Sequence, residues 1–152
     1  MGARPVSPNA VLSPGASIFF QRHPDHDPGQ RAPAREFLIA CPESVRVKII
    51  AALQAVAEAP PPAFSGGGYW EAMHGEMSGY YEVRADGPQR KHFRLFCVLE
   101  RTGSDLGLGG PSIVVLTGMM KEFRTVFSNA DYARVRRVGD EYRSRKPRSV
   151  AP

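Results

Sequence analysis

Cysteine is scarce in this chain: only Cys41 and Cys97 occur among 152 residues. Two thiols so far apart cannot build a disulfide framework and lack the spacing of a zinc knuckle or a dithiol redox motif, so both are expected as buried core fillers. Long apolar runs are missing too. No stretch approaches the roughly 20 consecutive apolar residues that a membrane-spanning helix needs, and no membrane partner is expected. Near the N-terminus Pro5, Pro8 and Pro14 interrupt any apolar h-region, so a secretory signal is not expected and the cytoplasm is the expected compartment. There are no internal repeats. His23, Asp25, His26 and Asp27 crowd one segment, but the flanking prolines disfavour the rigid element ends that usually present metal ligands. No metal and no cofactor is expected.

What remains is the composition of a globular protein, with 42% hydrophobic and 23% charged residues, in a length that suits one domain. The Pro-, Ser- and Gly-rich residues 1–15 read as a disordered tail, 16–146 as the domain, and 147–152 as a flexible C-terminal tail. The net charge is +5, and its placement is informative: from Lys121 to Arg148 nine Lys or Arg stand against four Asp or Glu. That segment carries the whole excess. Clustered basic charge is the footprint of a protein that meets phosphates or an acidic partner, although a solvated helix face gives the same pattern.

The pattern of side chains predicts an α+β fold. Ser17 to Gln21 reads as a strand, the Pro- and Asp-rich stretch after it as a loop, and Glu36 to Ala40 as a helical turn. A helix led by Pro42 follows, with Val45, Ile49, Leu53 and Val56 on one stripe, and it is expected to stop at Ala59 before three prolines and a flexible connection over 65–68. A hairpin about Asp86-Gly87-Pro88, a Gly-rich loop from Gly103 to Gly110 and a buried strand over 111–118 come next. Ser128 and Asp131 form an S-x-x-D helix start, leading a helix to about Arg143 whose inner face holds Tyr132, Val135, Val138 and Tyr142.

The hairpin carries the chemistry. Tyr80, Glu82 and Arg84 share one face of its first arm, and His92, Arg94 and Phe96 share one face of its second. A turn centred near Pro88 would set Arg84 opposite His92 and Glu82 opposite Arg94. Such a surface could remove a ribose 2′-hydroxyl proton while guanidinium groups stabilise the charge that develops at phosphorus. The plain alternative is a cross-strand ion pair on a solvated sheet face. His74 reads as a loop histidine, and Tyr69 and Trp70 as packing residues rather than a stacking platform.

The succession Glu36-Phe37-Leu38, a Pro-led helix, Tyr81-Glu82-Val83-Arg84, His92-Phe93-Arg94-Leu95-Phe96, Ile113 to Gly118 with Met119, Met120 and Lys121, and finally Tyr132 to Tyr142 resembles the RelE/ParE superfamily of type II toxin-antitoxin toxins, in particular its HigB-like branch. The resemblance spans about residues 35–143. It implies a small twisted, antiparallel-rich sheet packed against two N-terminal helices with a C-terminal helix, and a metal-independent endoribonuclease that cuts mRNA on the ribosome until an antitoxin, expected as a small helix-turn-helix protein encoded next door, neutralises it. Carried over by motif, Arg84, Arg94 and Lys121 would stabilise charge at the phosphate, and Glu82 or His92 would be the base. Arg124, Arg136, Arg137 and Tyr142 would bind RNA, Tyr142 also being the one candidate for a general acid. Members of the ParE branch poison DNA gyrase instead. A gyrase-directed inhibitor and a non-catalytic module that binds RNA or antitoxin therefore stand beside the nuclease.

Overall fold

The computed structural model describes residues 16–58 and 69–152; the expected N-terminal tail and the helix stop and connection over 59–68 lie outside the described residues. The elements run β1 (Ala16–Phe20), α1 (Pro33–Ala40), α2 (Glu43–Glu58), β2 (Trp70–Ala72), β3 (Tyr80–Asp86), β4 (His92–Glu100), β5 (Ser112–Lys121), α3 (Asn129–Arg143) and β6 (Val150–Ala151). The fold is α+β. Its sheet has the order β2-β3-β4-β5-β1-β6, antiparallel except where β1 lies parallel to β5.

Strand alternation explains why the sheet is covered on both faces. Val83, Ala85, Phe93, Leu95, Cys97, Ile113 and Val115 point to one side, where α1 and α2 deliver Leu38, Val45, Ile49, Leu53 and Val56. Phe96, Val98, Val114 and Leu116 point to the other, where α3 delivers Val135 and Tyr142. The stripe read from α2 is the face it buries. Both cysteines are free and buried. At Cys97 burial in the apolar interior pushes the thiol far up, which suits packing and not reactivity.

Several expectations need correction. α1 is longer than the turn expected over 36–40, because Pro33 occupies a first-turn position where its missing N–H is no loss. β2 and β6 are three and two residues long, too short for a period to register in the sequence. The segment 147–152 therefore is not a free tail: Val150 and Ala151 pair with Phe20 and Phe19, and the Arg148 amide donates to the Leu106 carbonyl. The His- and Asp-rich stretch is a turn tied to itself. Asp27 accepts from the Gly29 amide and from both the amide and Nε of Arg31, while Asp25 pairs with Arg145 at 2.8 Å.

The capping read from Ser128 and Asp131 is present in full. Ser128 Oγ accepts from the Asp131 amide at 3.1 Å, and Asp131 accepts from the Ser128 amide at 2.7 Å. Further along α3, Gly139 lies against the Tyr80 ring: an added Cβ would run into the Tyr80 hydroxyl. That ring cannot easily retreat, since Arg143 covers it and donates to its hydroxyl at 3.0 Å. Helix propensity alone would make Gly139→Ala stabilising by about 1 kcal/mol. Overpacking of about 1–3 kcal/mol opposes it, and the expected outcome is a lower midpoint in chemical denaturation; a raised midpoint would show that Tyr80 yields.

Candidate functional site

The turn between β3 and β4 decides what faces what. It spans Gly87 to Lys91, closed by Gly87 N–H to the Lys91 carbonyl at 2.9 Å, with Gln89 and Arg90 in the left-handed region at φ 60° and 58°. This turn is longer than one centred on Pro88, and the register shifts by two residues. Arg84 is opposite Arg94, Asp86 opposite His92, and Glu82 opposite Phe96. The expected pairs Arg84 with His92 and Glu82 with Arg94 do not form. A two-residue shift preserves the face, so Glu82, Arg84, His92 and Arg94 still point the same way.

A bulge brings in the fifth residue. Between Phe96 and Cys97 the β4–β5 register slips, so that Phe96 pairs with Thr117 but Cys97 with Val115. The extra residue reverses the alternation of β5. Gly118 then turns toward α1, where only a glycine leaves room for the Phe37 ring, and Lys121 turns toward α3. Opposite His92 in the register, Lys121 pairs with Asp131 at 3.0 Å.

The electrostatics of this face are unusual for an ordinary sheet surface. Like charges directly opposite one another destabilise a strand pair, yet two arginines occupy such a position. Arg94 is nearly covered, with 11% of its side chain exposed, and burial, then repulsion from Arg84, lowers its pKa. Arg84 reaches Glu71 at 3.2 Å and Glu82 at 3.7 Å. Glu82 is 14% exposed and its pKa is raised, by burial first and by Glu71 as a further cause, against the pull of Arg84 and Arg94. A carboxylate whose pKa is raised by burial beside two guanidiniums is the pattern of a candidate proton acceptor at an anion site. His92 Nδ1 meets Asp86 at 2.9 Å, which orients the ring and leaves its other nitrogen free to act.

The remaining candidates separate. Arg124 lies at the rim in a left-handed conformation, φ 64°, its guanidinium 5.2 Å from the centre of the Phe123 ring; Arg90 reaches the same ring at 5.0 Å. Phe123 in turn neighbours His92 at 6.5 Å. Arg136 and Arg137 line different cavities on opposite flanks of α3, one with Met77 and Tyr132, the other with Phe20 and Arg22. Tyr142 cannot bind RNA or act as an acid here. It is 1% exposed, packs edge-on against Phe20 and donates to Glu100 at 2.8 Å. Burial together with Glu100 drives its pKa upward.

Three residues escaped the sequence reading. Asp86 reads as a turn residue in the sequence, Glu71 belongs to a strand too short to show a period, and Tyr132 falls on the apolar stripe of α3. Tyr132 is only partly buried and packs edge-on against Phe96. Burial, then the charge of Glu82, raises its pKa, so its hydroxyl belongs to this face. Among the described residues no group of three or more His, Cys, Asp or Glu could hold a metal ion, and no helix is long and apolar enough to cross a membrane. In comparisons with known proteins, no family model, no curated protein and no solved structure matches the chain.

Asp131 links the site to the helix that covers it. The Ser128 amide first, then Lys121, holds its carboxyl at about 2 against an ordinary 3.8. A carboxylate with a depressed folded-state pKa contributes stability that is present above the unfolded value and lost as the pH falls through the folded one. Asp131→Asn should therefore cost about 1–2 kcal/mol at pH 7, with the gap to wild type closing between about pH 3.8 and pH 2. Urea melts across that range test it; a gap that is independent of pH would sink the assignment.

Proposed function

We propose that the protein is the toxin of a type II toxin-antitoxin pair and acts in the cytoplasm as a metal-independent endoribonuclease on ribosome-bound mRNA. The observation that carries this reading is the opposition of Arg84 and Arg94 across β3 and β4 with the largely buried Glu82 beside them. Two guanidiniums facing each other weaken the sheet, and an anion seated between them would relieve their repulsion. The RelE/ParE resemblance supplies the identity of that anion, a scissile phosphate, and the strand, two helices, antiparallel strands and C-terminal helix of the fold agree with the architecture the resemblance implies.

The chemistry follows from the placement of each group. Glu82 takes the proton of the ribose 2′-hydroxyl, and the 2′-oxygen attacks the adjacent phosphorus. The bond to the 5′-oxygen breaks, and His92, held by Asp86, returns a proton to that leaving oxygen. The products are a 2′,3′-cyclic phosphate and a free 5′-hydroxyl, so neither water nor an oxidant enters the step. Arg84, Arg94 and Lys121 stabilise the phosphorane charge. Arg124 and Arg90 with Phe123 extend the cationic rim along which a strand of RNA can lie. An acidic antitoxin segment can neutralise the same surface.

Arg94→Ala should lower cleavage by about 10²–10³-fold, the usual effect of deleting one charge-stabilising donor. Because it also removes a like-charge opposition, the melting temperature should stay level or rise. Mapping of new RNA 5′ ends within minutes of induction reads the first quantity and calorimetry the second. New ends that persist undiminished in the variant would falsify the role of Arg94; growth arrest without new ends would point to gyrase or another protein target. For the wild type, cleavage should decline as the pH falls through the raised pKa of Glu82, and Glu82→Gln should lose cleavage at every pH.

A further inference from the structure

Beside the reactive face, between the short turn Gly75–Met77 and the start of α3, lies a cleft of about 350 Å³ lined by Met73, His74, Glu76, Met77, Asn129, Tyr132 and Arg136. Its volume falls at the lower end of small-ligand sites, about 300–1,000 Å³. Tyr132 is the partition: its ring lines the cleft while its hydroxyl feels the charges of Glu82 and Arg94. A group seated in the cleft therefore sits next to whatever anion Arg84 and Arg94 hold.

We propose that this cleft receives a single guanine base of the RNA flanking the cleaved bond. The proposal rests on the nuclease reading for its substrate and adds a base preference to it. Met73 and Met77 give an apolar floor, and the Tyr132 ring gives an aromatic wall, the surroundings in which unstacked RNA bases are held. The polar groups then select the base. Glu76 offers only acceptors and Arg136 only donors, and the two stand 3.7 Å apart at the mouth. Guanine presents N1–H and N2–H₂ donors on one edge and O6 and N7 acceptors on the next. It can satisfy a carboxylate and a guanidinium bidentately at once, the second being the commonest specific arginine–base contact. Adenine, cytosine and uracil cannot make both bidentate pairs with this set. Arg136 is also braced for the task, with Nη1 against Met77 Sδ at 3.4 Å.

The test uses the purified full chain and two probes, GMP and AMP, with titration followed by calorimetry and by the NMR signals of the Tyr132 ring. GMP should bind at least about tenfold more tightly than AMP, since a good bidentate pair contributes about 1–3 kcal/mol of discrimination. Glu76→Gln, at an exposed position, should erase the preference without altering the melt. On induction, the mapped cut sites should be enriched in guanine at one fixed flanking position, and that enrichment should disappear in Glu76→Gln. Equal binding of the two nucleotides, no GMP binding at millimolar concentration, or a preference that survives Glu76→Gln overturns the proposal even if RNA is still cut. A GMP preference lost in Glu76→Gln, in a protein that produces no new RNA ends, upholds the base site and removes the nuclease reading instead.

Discussion

The register of β4 against its two neighbours is the constraint on which the rest of the molecule depends. On one side the five-residue turn from Gly87 to Lys91 fixes β3 so that Arg84 meets Arg94. On the other, the slip at Phe96 and Cys97 fixes β5 so that Lys121 faces α3 while Gly118 faces α1. Without that slip the alternation of β5 would turn Lys121 toward the α1 side and Gly118 toward the face that carries Arg84 and Arg94. One irregularity thus serves both layers: it lets α1 dock closely and delivers the cation that Asp131 then holds.

What could be read from the sequence was whatever repeats or signals locally. The Val45, Ile49, Leu53, Val56 stripe announced α2 because four side chains at helical spacing leave no other face to bury. Ser128 and Asp131 announced the start of α3 because their hydrogen bonds lie within three residues. The shared face of Glu82, Arg84, His92 and Arg94 was legible for a similar reason, since alternation survives any even shift of register. Their partners were not. The turn length depends on Gln89 and Arg90 adopting a left-handed backbone that neither residue type advertises, and the slip lies within an apolar run whose residues suit either face. Tyr142 shows the converse error. Its place on the apolar stripe of α3 already implied burial, and the surrounding arginines suggested a contact with RNA that the packing against Phe20 forbids.

The charge of the C-terminal segment also has a different meaning once its partners are known. Arg134 pairs with Asp131, Arg145 with Asp25, and Arg148 lies over the Tyr142 ring. Arg143 covers Tyr80. Much of the basic excess is therefore bracing, which ties α3 and the last strand to the body, and it does not form one continuous patch. The cations that share one face of the sheet, Arg84, Arg94 and Lys121, come from strands β3, β4 and β5 instead. Net charge points to the C-terminal helix, whereas opposed positions in the strand ladder point to the sheet face.

The coupling among those groups would make this face respond to a bound anion. In the unliganded protein Arg84 and Arg94 repel each other and both hold down the pKa of Glu82, while burial and Glu71 push it up. A phosphate placed between the guanidiniums removes their repulsion and engages their donors, so the two arginines no longer favour the Glu82 carboxylate to the same degree, and the phosphate charge itself disfavours that carboxylate. Both effects would raise the proton affinity of Glu82 when an anion is in place. An anion bound there would make Glu82 a stronger base, and the sheet that tolerates a like-charge pair would be relieved of it.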